Sequence, residues 1–543
     1  MRHFHRFIII IFLFFLFSQL ILPASQVFAA TNTKHAPIAI CHNGKFIAEK
    51  DGNVLKWLGI PFAKPPVGKL RWKAPILAEN SNNTYAPQGY GKMPLQAWQP
   101  LENTSENCLK LNIYTGADNR QNKPVIVFLQ PSAFCYGGGN LPYCNAFNLV
   151  SAHPEIIFIC IETRLSIMGS MVFDNVPGAE NMTDDTAYLW LLDTRCALQW
   201  IQKNIKAFGG NPNNVTLFGV SAGATAATLM PLLPNTKGLF HKMIVASGTP
   251  AITGPSEGRA NVTKKLMELT NAKNMSDLMA LSEEQLSNSI PELDGIAQFE
   301  ILGKGLTPQG VYEQYQAGAT RGIPMLIGTS GNECAYFKAI NHTDEKKFVQ
   351  ELQEKYKKIL IRLPSNAQKI ASQYISRHKK TSPSAYEALL TDTIFTVPAC
   401  LLANIHSSHA PTYVYRFDFS SKHGASGAQH LAELPFVMNF IRRKNLPQNE
   451  KERIEQFTST IIEMWINFAK TGIPSTDIYK WPQYTTSNSN VLVFEKDGTI
   501  AVEKDPYAKE CKLLAPLLPY TYIFAEEYFR FPEETYRKIF IRQ

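Results

Sequence analysis

The chain has 543 residues, 45% hydrophobic and 18% charged, a balance that builds a large buried core and excludes a disordered protein. Its formal charge of +9 is thinly spread. The runs Lys346-Lys347 and Arg442-Arg443-Lys444 are too short for a nucleic-acid stripe, which excludes nucleic acid as a partner. Nine cysteines fall in no CxxC or Cys/His spacing, so no zinc site is expected.

The N-terminus reads as a signal peptide. Arg2 and Arg6 precede an apolar run over 7–17, and Val27-Phe28-Ala29 offers a small-residue cleavage point after Ala29. Cleavage leaves a formal charge of +7. Ser18, Gln19 and Pro23 interrupt the run before the ~20 apolar residues that a membrane span needs. The expectation is a secreted or periplasmic protein without a stable membrane span, with a retained anchor as the alternative.

Further along, VIVFL (125–129), IIFICI (156–161), VTLFGV (215–220), KMIVAS (242–247), MLIGT (325–329) and YVYRFDF (413–419) read as strands buried on both faces. Helical patterns lie between them, at 188–207 and 222–232. The alternation predicts an α/β fold with a mostly parallel central sheet and helices on both faces. Segments 254–320 and 343–410 read as helical insertions, because the strand series resumes after each.

After the first of these strands the sequence is QPSAFCYGGG (130–139). A glycine cluster there can cradle a phosphate, hold an oxyanion or turn the chain. No following helix start or lysine is present, so a phosphate cradle is excluded. Cys135 and Cys144 flank the glycines and are expected to close a small disulfide ring. Cys160 and Cys196 sit in apolar patterns and read as buried thiols.

Gly219-Val220-Ser221-Ala222-Gly223 lies between a strand and a small-residue helix. This G-x-S-x-G places a serine on a sharp strand-to-helix turn, where flanking glycines avoid a backbone clash and the helix N-terminus faces developing negative charge. A nucleophilic serine needs a base, and the base an orienting acid, in the chain order serine, acid, histidine. His406, His409 and His423 lie in polar stretches and read as surface residues. His430, in the loop GASGAQHLAELPF, is the candidate base, and Glu333, in MLIGTSGNE, the candidate acid.

Several longer motifs carry a family resemblance: GIPFAKPPVGKLRWKAP (59–75), SENCLKLNIYTG (105–116), ALQWIQKNIKAFGGNPNNVTLFGVSAGA (197–224), GNECAYF (331–337) and HLAELPFV (430–437). Together they resemble the type-B carboxylesterases, a family that also contains the cholinesterases. The resemblance spans about 40–510. It implies an α/β-hydrolase domain over 30–512, followed by an aromatic and basic extension over 513–543. It also implies a serine esterase with Ser221 as nucleophile, Glu333 as acid and His430 as base, no cofactor, and a small-molecule ester as substrate. Ser247 is implied as a buried hydroxyl near the acid. Arg71 with Glu106, and Arg164 with Asp193, are implied as structural ion pairs.

The resemblance gives the opening loop its role. Three glycines of the family, whose amides bind the oxyanion, correspond to Pro131, Ser132 and Ala133. The donors therefore fall on Ser132 and Ala133, with Ala222 after the nucleophile, and proline occupies only the first position. Cβ atoms at 132 and 133 are expected to bar glycine-only conformations. Gly137–Gly139 come too late for that motif and read as a flexible loop at the gorge edge. Val220 replaces a common glutamate, and 187–194 departs from the family's G-N-x-G-L-x-D-Q. Trp98 and Tyr336 match a choline-binding tryptophan and a pocket aromatic of the cholinesterases, which leaves two alternatives to a general esterase: a quaternary-ammonium esterase and a non-catalytic binding protein. The extension, with a helix expected at 522–530, is expected to dock on the body; association with a partner or a membrane surface is the alternative.

Overall fold

The computed structural model describes residues 36–530, apart from Trp98, Pro255 and the stretches 295–306, 337–344, 379–383, 421–427 and 442–445. The expected signal peptide, Trp98, the Arg442–Lys444 run, His423 and the end of the extension lie outside these residues.

Eleven strands form the main sheet: β1 (Glu49–Asp51), β2 (Val54–Pro61), β3 (Lys110–Gly116), β4 (Lys123–Leu129), β5 (Ile157–Ile161), β6 (Gly210–Val220), β7 (Lys242–Ala246), β8 (Met325–Ser330), β9 (Thr412–Phe417), β10 (Asn490–Phe494) and β11 (Ile500–Lys504). Their spatial order is β11-β10-β9-β8-β7-β6-β4-β5-β3-β2-β1. From β5 across to β10 all neighbours pair in parallel. The antiparallel pairs lie toward the edges, through β3, β2 and β1 on one side and β11 on the other. Every residue of β5, β7 and β8 is buried, which explains why these strands read as unbroken apolar runs rather than as alternation.

Period-2 geometry divides those runs between two cores. Val125, Val127, Leu217, Val245 and Ile327 face one layer, which includes Trp200 of helix α1 (Leu189–Asn204) and the alanines of α2 (Ala222–Leu229). Ile126, Phe128, Phe218, Ile244 and Leu326 face the other, beneath the long helix α6 (Gln448–Thr471), which supplies Phe457, Ile461 and Trp465. The first layer also holds α3 (Glu345–Arg362) and a continuous helix in which α4 (Ala385–Thr391) passes through a π-turn (Asp392–Thr396) into α5 (Val397–His406). That helix is long and apolar enough to cross a membrane, yet 72% of its most apolar window is buried inside the protein, so core packing accounts for its composition. The chain then runs through α7 (Ala508–Leu514) to α8 (Thr521–Phe529), and α8 is docked on the body, with Phe524, Tyr528 and Phe529 in the first core. α7 bridges the expected boundary at 512/513.

Two sequence expectations are corrected here. Cys135 and Cys144 form no disulfide; the Cys144 thiol lies against that of Cys160 instead. His406 is fully buried. Its Nδ1 lies 2.8 Å from Thr412 Oγ1, and burial pushes its imidazole down to about 4. The polar neighbours Ser407, Ser408 and His409 belong to the turn that follows, so composition hid a core residue. Cys160 and Cys196 are buried as expected.

Candidate active site

Ser221 stands at the C-terminal end of β6, where the backbone takes φ 55° and ψ −121° before α2 begins. Such a conformation is costly for a residue with a Cβ and persists only when its surroundings dictate it. Here they do. The Ser221 N–H donates to the Ala246 carbonyl at 2.8 Å, and β4 passes so close that a Cβ at Gly223 would collide with the Leu129 carbonyl. The spacing of the two glycines is thus a consequence of how tightly β4, β6 and α2 converge.

The three residues expected to act together meet at this turn. His430 Nε2 lies 2.9 Å from Ser221 Oγ, and its Nδ1 lies 2.6 Å from Glu333 Oε2. Glu333 follows β8 and is fully buried. Its other oxygen accepts the Ser330 N–H at 2.7 Å, and its carbonyl accepts the His430 N–H at 3.3 Å. A carboxylate so held accepts from Nδ1–H and leaves Nε2 as the acceptor facing the serine hydroxyl. Ser221 and His430 are each 6% exposed, so the arrangement is sheltered from bulk water but open at one point.

Aromatic rings flank the imidazole. Tyr336, three residues after Glu333, stands edge-on to His430 at 5.9 Å, and Phe395 tilts across it at 5.0 Å. Sequence reasoning misses Phe395. It sits in the π-turn between α4 and α5, a local widening of the helix that often marks functional sites; nothing in DTIFTVP announces it. Glu433, three residues beyond His430, is likewise new. It is fully buried, accepts the Tyr415 hydroxyl at 3.0 Å, and burial, with the Glu333 charge next, pushes its carboxyl up to about 7.

The loop after β4 supplies backbone amides. Ala133 and Phe134 both adopt left-handed backbone, at φ 43° and 61°, a region that residues with a Cβ can enter at a modest cost, so the turn forms without the family's glycines. The turn satisfies itself: Ser132 Oγ accepts the Phe134 N–H at 3.1 Å, and the Ser132 carbonyl accepts from Cys135 and Tyr136 at 3.0 and 2.9 Å. The amides of Ser132, Ala133 and Ala222 have no backbone acceptor among the described residues. Ser132 and Ala222 line the same small cavity, together with Gln130, Phe134 and Trp190. Ala222 is also the first residue of α2, where an unpaired N–H and the helix dipole favour negative charge.

Gly137–Gly139 are buried and do not form a flexible rim. A side chain at Gly138 would meet Met93, and one at Gly139 would meet Asn112 and Glu162. The Gly138 N–H donates to Gln130 Oε1 at 3.0 Å, and Gln96 Nε2 donates to the Gly137 carbonyl at 2.7 Å. Glu162 beneath Gly139 is fully buried, and that burial pushes its carboxyl up to about 8. Close packing on a polar floor, rather than mobility, requires Gly138 and Gly139, while Gly137 takes a positive φ of 155°.

Ser247 follows β7 and is fully buried, but its hydroxyl has no hydrogen-bond partner among the described residues; its N–H donates to the Gly328 carbonyl. Both ion pairs form as the resemblance implied. Arg71 grips Glu106 through two bonds of 2.6 and 2.7 Å and donates to the carbonyl of Leu281. Arg164 grips Asp193 at 2.9 and 2.6 Å. Each pair is buried, so removing one partner is expected to cost about 3–5 kcal/mol. Among the described residues there is no cluster of His, Cys, Asp and Glu able to hold a metal.

Comparisons with known proteins agree with this geometry. The profile of the Carboxylesterase family matches residues 43–514. Para-nitrobenzyl esterase of Bacillus subtilis (strain 168) is 32% identical over 497 residues, covering 87% of this chain and 97% of that protein. The human cocaine esterase is 28% identical, over 83% of this chain and 86% of that protein. Among solved structures, a PNB esterase superposes with a TM-score of 0.75 at 29% identity, covering 88% of this chain and all of the other. The Geobacillus stearothermophilus carboxylesterase EST55 superposes with a TM-score of 0.76 at 25% identity, over 88% and 99%. The chain belongs to the carboxylesterase family, has the α/β-hydrolase fold, and is a carboxylic ester hydrolase.

Proposed function

We propose that this ester hydrolase works through an acyl-enzyme on Ser221, with His430 as general base and Glu333 as orienting acid. The observation that carries the reading is the unbroken chain of contacts, 2.9 Å from serine to imidazole and 2.6 Å from imidazole to carboxylate. Ser221 Oγ attacks the ester carbonyl while His430 Nε2 takes its proton. The carbonyl π pair moves onto oxygen, and that oxyanion is met by the amides of Ser132, Ala133 and Ala222. Each such donor contributes about 2.7–4 kcal/mol to transition-state stabilisation. Collapse expels the alkoxide, which receives the proton from His430 and leaves as the alcohol. Water, deprotonated by the same imidazole, then attacks the acyl-enzyme and releases the acid. Glu333 holds the ring in the Nδ1–H tautomer and stabilises the imidazolium.

The substrate in this proposal is a neutral ester. Val220, beside the nucleophile, is fully buried and uncharged, and Tyr336 and Phe395 present apolar rings at the histidine. The protein acts after export, with the signal peptide 1–29 removed. The test is a panel of p-nitrophenyl and p-nitrobenzyl esters of graded acyl length, with butyrylcholine as the charged arm and fluorophosphonate labelling alongside. Turnover of neutral esters, labelling of the wild type and loss of both in Ser221→Ala are expected. A wild type that is not labelled contradicts the mechanism, and a strong preference for butyrylcholine over its uncharged carbon isostere contradicts the substrate class.

A further inference from the structure

The match to the family profile ends at residue 514, yet α8, which follows, reaches the reacting residues. Phe529 stands edge-on to Phe395 with ring centres 6.4 Å apart, and Phe395 in turn lies 5.0 Å from the His430 ring. One residue earlier, Tyr528 meets the thiol of Cys334, the neighbour of Glu333. The Cys334 N–H donates to Thr391 Oγ1 at 3.3 Å, at the end of α4 where the π-turn begins. The same π-turn is tied to the start of α8, since Thr521 Oγ1 donates to the Thr393 carbonyl at 3.5 Å. The last turn of α8 is therefore packed behind both the histidine and the acid.

A separate device holds this helix in place. Lys355 of α3 donates to the carbonyls of Glu527, Tyr528 and Arg530 at 2.6, 3.2 and 2.6 Å. A cation placed on unpaired carbonyls at a helix C-terminus satisfies them and complements the dipole. Further along α3, Arg362 pairs with Glu526 at 2.7 Å. The ammonium thus holds the backbone of Tyr528, whose side chain reaches Cys334, and of Arg530, the residue after Phe529.

We propose that α8 is a positioning element of the active site: Phe529 backs Phe395 against the imidazole, Tyr528 backs the turn that carries Glu333, and Lys355 locks the end of the helix. None of the three touches substrate; they act through the orientation of His430 and Glu333. The proposal rests on the mechanism above, and its test separates the two. Phe529→Ala, Phe529→Leu and Lys355→Met are made in the full chain. Active serines are titrated with a fluorophosphonate, and kcat and KM for p-nitrophenyl butyrate are expressed per titrated serine.

A misplaced catalytic group lowers turnover without weakening ground-state binding, so Phe529→Ala is expected to lower kcat about 10- to 100-fold with KM within about twofold. Phe529→Leu, which keeps apolar bulk behind Phe395, recovers most of the loss. Lys355→Met shows a smaller loss of the same kind. A merely structural role lowers the titratable fraction and leaves kcat per active serine alone. Unchanged kcat per titrated serine in Phe529→Ala and Lys355→Met overturns the proposal, as does a rise in KM at constant kcat. If Phe529→Ala does not fold, kcat per titrated serine in Lys355→Met decides between the two roles by itself. A wild type that titrates normally beside these results overturns only the proposal; a wild type that does not react overturns it and the mechanism together.

Discussion

The turn at Ser221 and the loop from Gln130 to Gly139 place left-handed backbone beside the same point by opposite means. At the first turn the left-handed residue is Ser221, the proposed nucleophile, with φ 55°, and the glycines beside it exist because neighbouring backbone leaves no room for a Cβ. In the loop the left-handed residues are Ala133 and Phe134, and the glycines stand four residues later, against Met93, Asn112 and Glu162. At Gly138, Gly139, Gly219 and Gly223 glycine therefore marks a place where space is missing rather than a place where φ is positive. Left-handed backbone costs a residue with a Cβ roughly 1–2 kcal/mol, and the hydrogen bonds that close on Ser132 hold the turn against it.

The first turn should respond most strongly to substitution. Ser221→Ala should lower kcat by about 10^6-fold while leaving thermal unfolding unchanged, since the nucleophile and base act as a unit. The loop should respond to loss of a donor: Ser132→Pro deletes one amide and is expected to cost about 10²–10³ in kcat, read per titrated serine. The third effect is on stability. Gly139→Ala forces a Cβ onto Asn112 and Glu162 and should cost about 1–3 kcal/mol in denaturant unfolding. Ala133→Gly, by contrast, should change stability by no more than about 1 kcal/mol and preserve turnover. If Ala133→Gly instead abolished activity, the left-handed turn would be doing something other than presenting amides.

A further response is spread over pH. The carboxyl of Glu162 is raised from 4.5 to about 8 by burial, so the unfolded chain ionises first as pH rises. Its contribution is complete below about pH 4.5, declines as pH climbs through the interval, and is exhausted above about 8. Glu433, raised to about 7, acts in the same direction. Unfolding free energies at pH 5, 6.5 and 8 should therefore decline, by at most about 1.4 kcal/mol per unit for each group. Glu162→Gln should flatten the decline without removing activity.

The contrast between turn and loop also explains what the sequence discloses. The parallel strands are legible because burial on both faces writes continuous apolar runs, and the G-x-S-x-G because close approach dictates residue type locally. His430 and Glu333 are legible because each follows a strand in the required order. Phe395 is not, since a π-turn leaves no composition signal and the residue meets His430 only through the fold. The buried role of Gly137–Gly139 depends on Asn112 and Glu162 from separate parts of the chain. His406 reads as a surface residue because the polar turn beside it dominates the local composition. The docking of α8 follows from its aromatic content, but which residues it reaches does not.

A crystal structure of the protein with Ser221 phosphonylated by a fluorophosphonate ester puts the oxyanion site to the sharpest test. The proposed mechanism requires a phosphonyl oxygen within about 2.7–3.1 Å of the amide nitrogens of Ser132, Ala133 and Ala222, with His430 still bonded to Glu333. An adduct whose oxygen faces away from the Ser132–Ala133 turn, with those amides directed elsewhere, would contradict it.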